Sequence, residues 1–238
     1  MLHLKSSLTN VSGKPDAFSL VLKKDTVIYL NVLEWQDHFK TPAKTHTASK
    51  NVQVLDTAFF IPQLNRKRRI WVYLPPDYQT SGKRYPVIYM HDGQNLFDSF
   101  ASGYGEWGVD ESMDSLYHQK SPMAIIVGID HGAENRLTEY NSFSNERFGK
   151  GRGDDYVDFL AKTLKPFIDQ KFRTRASAKN TIIAGSSMGG LISMYAIAKY
   201  PEVFGKAGIF SPAFWIAPEI YHYVLTKHVR KQKIYFIA

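Results

Sequence analysis

The chain has 238 residues, 44% of them hydrophobic, which is enough for one good-sized globular domain with some additional chain. Cysteine is absent, which excludes disulfides, thiolate metal sites and a cysteine nucleophile. The net charge of +8 is dispersed, and its densest cluster, residues 66–69, leads into an apolar strand without a nucleic-acid-binding motif, so no nucleic-acid partner is predicted.

The sequence contains no predicted membrane span. No run approaches the roughly 18 to 20 apolar residues that cross a bilayer, and the first residues lack the apolar core of a signal peptide. A cysteine-free chain suits either an oxidising or a reducing compartment. Export and a cytoplasmic location therefore both agree with the sequence.

The first 50 residues are predicted to form an extension and a linker ahead of the main domain. Residues 26–32 have the pattern of a strand, and residues 41–50 are rich in Thr and Lys. Regular periodicity begins after this stretch. We therefore predict domain boundaries of 1–50 for the β-containing extension and 51–238 for the main domain.

Strands and helices alternate through the predicted domain. Two alternating strands, residues 52–61 and 69–74, indicate an antiparallel start to a sheet. Continuous apolar runs, typical of parallel strands buried on both faces, follow at residues 86–90, 124–127, 181–184, 207–210 and 233–237. Helices are predicted at residues 109–117, 155–168, 188–199 and 218–228. The alternation predicts an α/β fold.

A serine nucleophile is predicted at Ser187, in the G-x-S-x-G pattern of residues 185–189. A strand leads into the pattern and a helix leads out, which is the setting of a nucleophile elbow. The turn is so sharp that two backbone segments come close together, and Gly185 and Gly189 are needed there because a side chain would not fit between them. The alternative is a plain turn in which Ser187 only caps the helix. Ser186, the rival serine, is expected to point away from the cleft and is interpreted as structural.

Two backbone amides are predicted to form an oxyanion hole. The amide of Met188 lies at the start of the helix after the nucleophile, where the helix dipole assists it. The second donor is predicted in the polar loop after the strand at residues 86–90. There Gly93 allows a turn that aims the amide of Gln94 at the oxyanion.

Other polar residues of this loop are interpreted as structural. His91 precedes the nucleophile, whereas the base of such a fold follows it in sequence. Asp92 and Asp98 are interpreted as loop-ordering groups, because a carboxylate near an oxyanion would oppose its charge. Trp107 and Trp215 fall near strand ends, and each is either a wall of the substrate pocket or ordinary core.

Four segments of the chain carry a resemblance to a known family. They occur in the family's order and comprise residues 73–78, 85–98, 185–190 and 210–215. On these segments the chain resembles the putative esterase family of α/β-hydrolases, which includes esterase D, feruloyl and acetyl-xylan esterases, enterochelin esterases and mycolyltransferases. The resemblance covers roughly residues 52–238. It implies an α/β-hydrolase fold, with a mostly parallel sheet and helices on both faces, a nucleophile at Ser187 and oxyanion amides at Gln94 and Met188.

The resemblance also implies a catalytic acid and a histidine after the strand at residues 233–237. Both are expected beyond residue 238, so the fold is expected to be incomplete at the C-terminus. The chain alone is expected to be nearly inactive, because a serine without its base is a weak nucleophile. His222 or His228, with Glu219 as the acid, form the alternative, but their positions are typical of a helix surface.

Three functions agree with these features. The leading one is hydrolysis of a small-molecule or carbohydrate-linked ester through an acyl-enzyme on Ser187, which needs neither a metal nor an organic cofactor. The others are an acyltransferase that uses the same residues, and a binding module that has lost the chemistry. Many relatives carry a carbohydrate-binding β-sandwich ahead of the esterase domain. The strand at residues 26–32 would be its remnant, which favours a sugar-linked acetyl or feruloyl ester.

Overall fold

The computed structural model describes residues 6–9, 15–18, 44–144, 146–147, 149–227 and 232–237. The chain divides into two units, Met1–Lys44 and Thr45–Ala238. In the first unit, strands β1 (Ser6–Thr9) and β2 (Pro15–Phe18) pair antiparallel. The strand predicted at residues 26–32 lies outside the described residues.

The second unit is built on a seven-stranded sheet. Its described strands are β3 (Val52–Ile61), β4 (Arg66–Tyr73), β5 (Val87–His91), β6 (Ile125–Ile129), β7 (Thr181–Ser186), β8 (Lys206–Phe210) and β9 (Lys233–Ile237). Its described helices are α1 (Val109–His118), α2 (Arg136–Glu139), α3 (Gly153–Phe159), α4 (Lys165–Lys171), α5 (Met188–Lys199) and α6 (Glu219–Thr226). Each strand and helix predicted for this unit is present, with ends shifted by a few residues.

The strand order is β3-β4-β6-β5-β7-β8-β9. Strand β4 pairs antiparallel with both β3 and β6, and the strands from β6 to β9 along the sheet run parallel. This confirms the predicted sheet, in which the first strands pair antiparallel and the later strands pair parallel. Strand β5 is followed in the chain by β6, which lies on one side of β5 in the sheet, and then by β7, which lies on its other side. This reversal of direction leaves a crevice beyond the carboxyl ends of β5 and β7.

The sheet separates two hydrophobic clusters. Successive residues of β4 alternate between them, since Ile70 and Val72 pack in one cluster and Trp71 and Tyr73 in the other. Every residue of the central strand β6 is buried. Burial on both faces explains why the inner strands have continuous apolar sequences.

Helix α5 fixes the turn that precedes it. Ten of its 12 residues are buried, and it packs against β7, β8 and α6. The helix is therefore apolar on almost every side, as expected for an element inside the core rather than at the surface. Because its first residue is Met188, the position of α5 sets the position of Ser187.

Helices α3 and α4 form one continuous helical segment, joined by a π-helical turn at Leu160–Leu164. The turn lies just before Pro166, which has no N–H to donate to the preceding turn of the helix. The predicted helix at residues 155–168 is therefore present but irregular. None of the described helices is both long enough and apolar enough to cross a membrane.

Candidate active site

Ser187 lies in the turn between β7 and α5, with φ of 57° and ψ of −118°. This region is sparsely populated by residues with a side chain and costs on the order of 1 to 3 kcal/mol. The backbone holds the conformation from both sides. The Ser187 amide donates to the Phe210 carbonyl at 3.0 Å, and the Ser187 carbonyl accepts from the Ala213 amide at 3.0 Å. The side chain is exposed at the sheet's carboxyl edge.

Two glycines permit the close approaches that the site requires. A Cβ at Gly185 would lie 2.7 Å from the backbone of Gly189 and 2.8 Å from Cδ2 of His91. A Cβ at Gly93 would lie 2.7 Å from the carbonyl carbon of Gly128. Contacts this short do not occur for real Cβ atoms, so both turns depend on glycine.

The backbone amides of Met188 and Gln94 donate no hydrogen bond within the described residues. Met188 begins α5, and the first amides of a helix have no acceptor inside the helix. Gln94 lies in a 3₁₀ turn, Gly93–Asn95, that follows Asp92 with φ of 58°. The Gln94 side chain accepts a hydrogen bond from the His131 amide at 3.2 Å, which ties this turn to the loop after β6. Both amides can therefore donate to a ligand oxygen.

A cavity of about 600 Å³ opens at the carboxyl ends of β5, β6 and β7. Ser187 lies in its wall, together with aromatic, cationic and apolar side chains: Tyr104, Trp107, His131, Arg136 and Leu137. The structure thus brings the predicted pocket residue Trp107 into the same cavity as Ser187, the predicted nucleophile. Trp215 is not part of this wall. It lies in the turn after β8 and is 74% exposed.

Trp107 is held in the cavity wall by contacts on two sides. Its amide donates to the Asn95 carbonyl at 2.9 Å, in the loop that carries Gln94. Its ring meets the ring of Phe210 edge-on, with centroids 5.9 Å apart. The wall is therefore tied both to the loop after β5 and to the end of β8.

His91 lies close to Gly185 and Gly189, on either side of the turn at Ser187, and is almost fully buried. Its Nδ1 is 3.0 Å from the Tyr156 hydroxyl, and its Nε2 has no partner among the described residues. The pKa of His91 is lowered to about 4, chiefly because the ring is buried; Asp92 opposes this shift and Arg136 contributes to it. The imidazole is therefore neutral at neutral pH.

Asp92 is paired with a residue that the sequence analysis did not identify. Arg136, the first residue of α2, donates from Nε and Nη2 to the two carboxylate oxygens, each at 2.8 Å. The guanidinium also lies over the ring of Tyr140, 5.1 Å from its centroid. This bidentate pair compensates the negative charge of the carboxylate, which lies close to the turn at Ser187.

Asp98 anchors the segment before β3. It accepts hydrogen bonds from Nδ1 of His46 at 2.8 Å, from the Thr47 amide at 3.2 Å and from the Phe100 amide at 3.1 Å. Burial raises the pKa of Asp98, but these hydrogen bonds outweigh it and hold the pKa below its usual value. Asp98 thus orders the loop and is not in the cavity wall.

No described histidine is hydrogen-bonded to Ser187. His222 lies exposed on α6, and His228 is outside the described residues. His131 lines the cavity, where its Nδ1 accepts a hydrogen bond from the Ala133 amide at 2.9 Å. The sequence analysis missed this residue, although its position after the buried strand β6 is one where site residues gather.

A model of the putative esterase family matches residues 61–233. The uncharacterized protein YbbA of Bacillus subtilis is 34% identical over 155 residues, which cover 62% of this chain and 58% of that protein. An endo-1,4-beta-xylanase/feruloyl esterase of Xylanibacter ruminicola is 28% identical over 81% of this chain and 27% of its own length. The iron(III) salmochelin esterase of Escherichia coli is 27% identical over 88% of this chain and 44% of its own length.

Solved structures share the fold. An IroE-like serine hydrolase from Shewanella oneidensis superposes with a TM-score of 0.63 at 21% identity, over 78% of this chain and 59% of that one. The BES protein from Bacillus cereus superposes with a TM-score of 0.61 at 20% identity, over 83% of this chain and 78% of that one. These similarities confirm the α/β-hydrolase fold. The chain spans less than two thirds of each of the three curated relatives named above. Since the family model matches well over half of the chain, the chain belongs to the putative esterase family.

Proposed function

We propose that this chain provides the nucleophile of a serine carboxylesterase, with Ser187 forming the acyl-enzyme. The observation that carries the proposal is the backbone of Ser187, which is held at φ of 57° and ψ of −118° above the sheet. A residue that only capped α5 would need no such conformation, because helix-capping residues adopt ordinary extended backbone angles. Strain of this kind is typical of functional residues.

The proposed chemistry begins with attack by Ser187 Oγ on the ester carbonyl carbon. The carbonyl oxygen becomes an oxyanion, which the amides of Met188 and Gln94 stabilise together with the N-terminus of α5. Collapse of the intermediate expels the alcohol and leaves an acyl group on Ser187. Water then attacks the acyl-enzyme by the same route and releases the acid.

The proton of Ser187 requires a base, which we place outside residues 1–238 together with its acid partner. Two observations support this choice. The described histidines make no hydrogen bond to Ser187, and His91 is neutral, buried and bonded to Tyr156. In this fold the acid and the histidine follow the nucleophile in sequence. The cavity residue His131 is the alternative base, and it is tested below.

The cavity and the relatives together suggest the substrate. The exposed faces of Tyr104 and Trp107 suit a flat apolar group, since aromatic rings stack on such surfaces. Two of the relatives are named as a feruloyl esterase and a salmochelin esterase. We therefore propose a small-molecule or carbohydrate-linked ester, with a feruloyl group favoured over acetyl by the aromatic wall.

The proposal is tested with p-nitrophenyl acetate and methyl ferulate. The longest protein that the gene encodes is assayed beside its Ser187→Ala variant and beside Ser186→Ala, which removes the rival serine. We expect Ser187→Ala to lower kcat/KM by at least about a thousandfold. Ser186→Ala should retain most of the activity. Hydrolysis that is unchanged in Ser187→Ala would contradict the proposal.

The 238-residue chain is assayed in parallel to locate the base. We expect it to be nearly inactive, because Ser187 then lacks a proton acceptor. If the short chain is active and Ser187→Ala abolishes that activity, the base lies within these residues. His131→Ala is then the decisive variant, with the exposed His222→Ala as its control.

A further inference from the structure

Three carboxylates gather at the start of α1, outside the cavity wall. Glu106, Asp110 and Glu111 each offer an oxygen, and these oxygens all lie within 4.8 Å of one another. Asp110 is completely buried, whereas Glu106 is half-buried and Glu111 is exposed. A buried carboxylate beside two others is costly unless something compensates its charge.

The described residues supply too few donors for this cluster. Asp110 accepts one hydrogen bond, from the Ser49 amide to Oδ2 at 2.7 Å, and Glu106 accepts one, from the Thr47 hydroxyl to Oε2 at 2.7 Å. The other two oxygens, Asp110 Oδ1 and Glu106 Oε1, are buried and have no hydrogen-bond partner in the part of the chain that the structure describes. Buried carboxylate oxygens are normally satisfied, so these two require an explanation.

The helix dipole is the simplest explanation, and it is insufficient. Asp110 and Glu111 lie in the first turn of α1, where negative charge is favoured. The dipole amounts to about half a positive charge at the helix N-terminus, however, and the cluster holds three carboxylates. It also contributes no donor atom to the orphaned oxygen of Glu106, which precedes the helix.

A shared proton is the second explanation, and it also falls short. Burial raises the pKa of Glu111, and the contact with Asp110 raises it further. A proton between these two groups would remove one negative charge. It would leave Oε1 of Glu106 buried without a partner and two charges still in place.

We infer that Glu106, Asp110 and Glu111 bind a hard divalent cation, Ca²⁺. Carboxylate oxygens are the ligands that Ca²⁺ prefers, at about 2.3 to 2.6 Å. A separation of at most 4.8 Å is about twice that distance, so one ion can contact all three groups. Mg²⁺ demands strict octahedral geometry and usually keeps several water ligands, so a site formed by three protein carboxylates, one of them completely buried, suits it less well.

The cation has a structural role that links two parts of the chain. Its ligands are held by Thr47 and Ser49, in the segment before β3, and by the start of α1. Trp107, in the wall of the cavity, directly follows Glu106 in sequence. Binding of Ca²⁺ therefore fixes one wall of the cavity, and the inference does not depend on the chemistry of Ser187.

The test is calcium binding by the 238-residue protein, measured by isothermal titration calorimetry after treatment with a chelator. We expect one site and a higher Tm in Ca²⁺. Trp107 lies next to the cluster, so Tb³⁺ in place of Ca²⁺ should show sensitised luminescence that Ca²⁺ displaces. Asp110→Asn and Glu111→Gln should each weaken binding at least tenfold. Glu202→Gln, at an exposed carboxylate elsewhere, should leave it unchanged.

The variants keep the inference falsifiable even if one of them folds poorly. Asp110→Asn retains an oxygen for the Ser49 amide, and Glu111 is exposed, so its replacement should not disturb the fold. Absence of binding at millimolar Ca²⁺ would overturn the inference, as would an affinity in both cluster variants equal to that of the unaltered protein. Tighter binding of Mg²⁺ than of Ca²⁺ would overturn the choice of ion. None of these readouts uses a substrate, so failure here leaves the proposed esterase function standing.

Discussion

At the scale of single residues, His91 packs against the turn that carries Ser187. Its Cδ2 would lie 2.8 Å from a Cβ at Gly185, and its ring packs against the rings of Tyr140 and Tyr156, with centroids 5.1 Å and 5.6 Å away. Because it is buried and neutral, it fills space without placing a positive charge under Ser187. A protonated imidazole at this position would disturb both the packing and the electrostatics of the turn.

The buried His91 predicts a loss of stability in mild acid. Its pKa is about 4 in the folded protein against an ordinary value of 6.5, so between these pH values only the unfolded chain binds the proton. The free energy of unfolding should therefore fall as the pH is lowered from 6.5 towards 4, by roughly 3 kcal/mol in total. Urea unfolding at several pH values measures this dependence.

His91→Gln is the matched variant for this prediction. It removes the titrating group, so its free energy of unfolding should depend less on pH across the same window. An identical pH dependence in both proteins would show that His91 does not titrate as the structure implies.

Gly185 makes a second prediction at this scale. Gly185→Ala introduces a Cβ 2.7 Å from the Gly189 backbone, so β7 and α5 must move apart. We expect the free energy of unfolding to fall by about 2 kcal/mol or more, as for overpacked cores. Gly82→Ala is the control, since its added Cβ meets nothing within 4 Å, and it should change stability by less than about 0.5 kcal/mol.

The sequence predicts a site residue where that residue belongs to a short local motif. Ser187 and Gly185 belong to one short motif whose backbone conformation is nearly fixed by its own spacing. Arg136 and His131 escaped prediction because they reach the cavity through a four-residue helix and an irregular loop. Such segments have no periodicity from which a buried face can be inferred.

At the scale of secondary structure, α2 is positioned by a buried ion pair. Glu139 at its end is fully buried and accepts from Arg66 at 2.5 Å and from Arg68 at 2.6 Å, both on β4. Arg136 at the other end of α2 is paired with Asp92. A helix too short to be stable alone is thus held between β4 and the loop after β5.

Glu139→Gln should separate α2 from β4. The variant keeps the shape of the side chain but leaves the guanidinium of Arg68, only 9% exposed, without its counter-charge. Breaking a buried pair in this way typically costs about 3 kcal/mol, and we expect a loss of that order in the free energy of unfolding. Glu202→Gln, at an exposed carboxylate, is the control. Equal stability of the two variants would mean that the pair does not hold α2.

The larger elements follow from their sequences more directly than α2 does. The inner strands are buried on both faces, and their continuous apolar runs predict both their type and their parallel pairing. The sequence predicts one helix over residues 155–168, whereas the π-helical turn at Leu160–Leu164 depends on how Pro166 is accommodated. Long periodic segments are thus specified locally, while irregularities within them depend on tertiary packing.

At the scale of the whole molecule, β9 forms one edge of the seven-stranded sheet. It pairs with β8 on one side, and its other side carries unpaired backbone groups among the described residues. Tyr235, Phe236 and Ile237 are 63%, 49% and 46% exposed, so apolar side chains remain uncovered on both faces of this strand. An exposed apolar edge strand is a template for pairing with another chain.

The edge strand predicts self-association of the 238-residue chain. We expect its apparent mass in sedimentation velocity to rise with concentration, because β9 of one molecule can pair with β9 of another. Phe236→Lys places a charge on the edge and should shift the protein towards monomer, whereas Lys120→Ala, away from this strand, should not. A monomer at all concentrations, or association that Phe236→Lys leaves unchanged, would contradict pairing through β9.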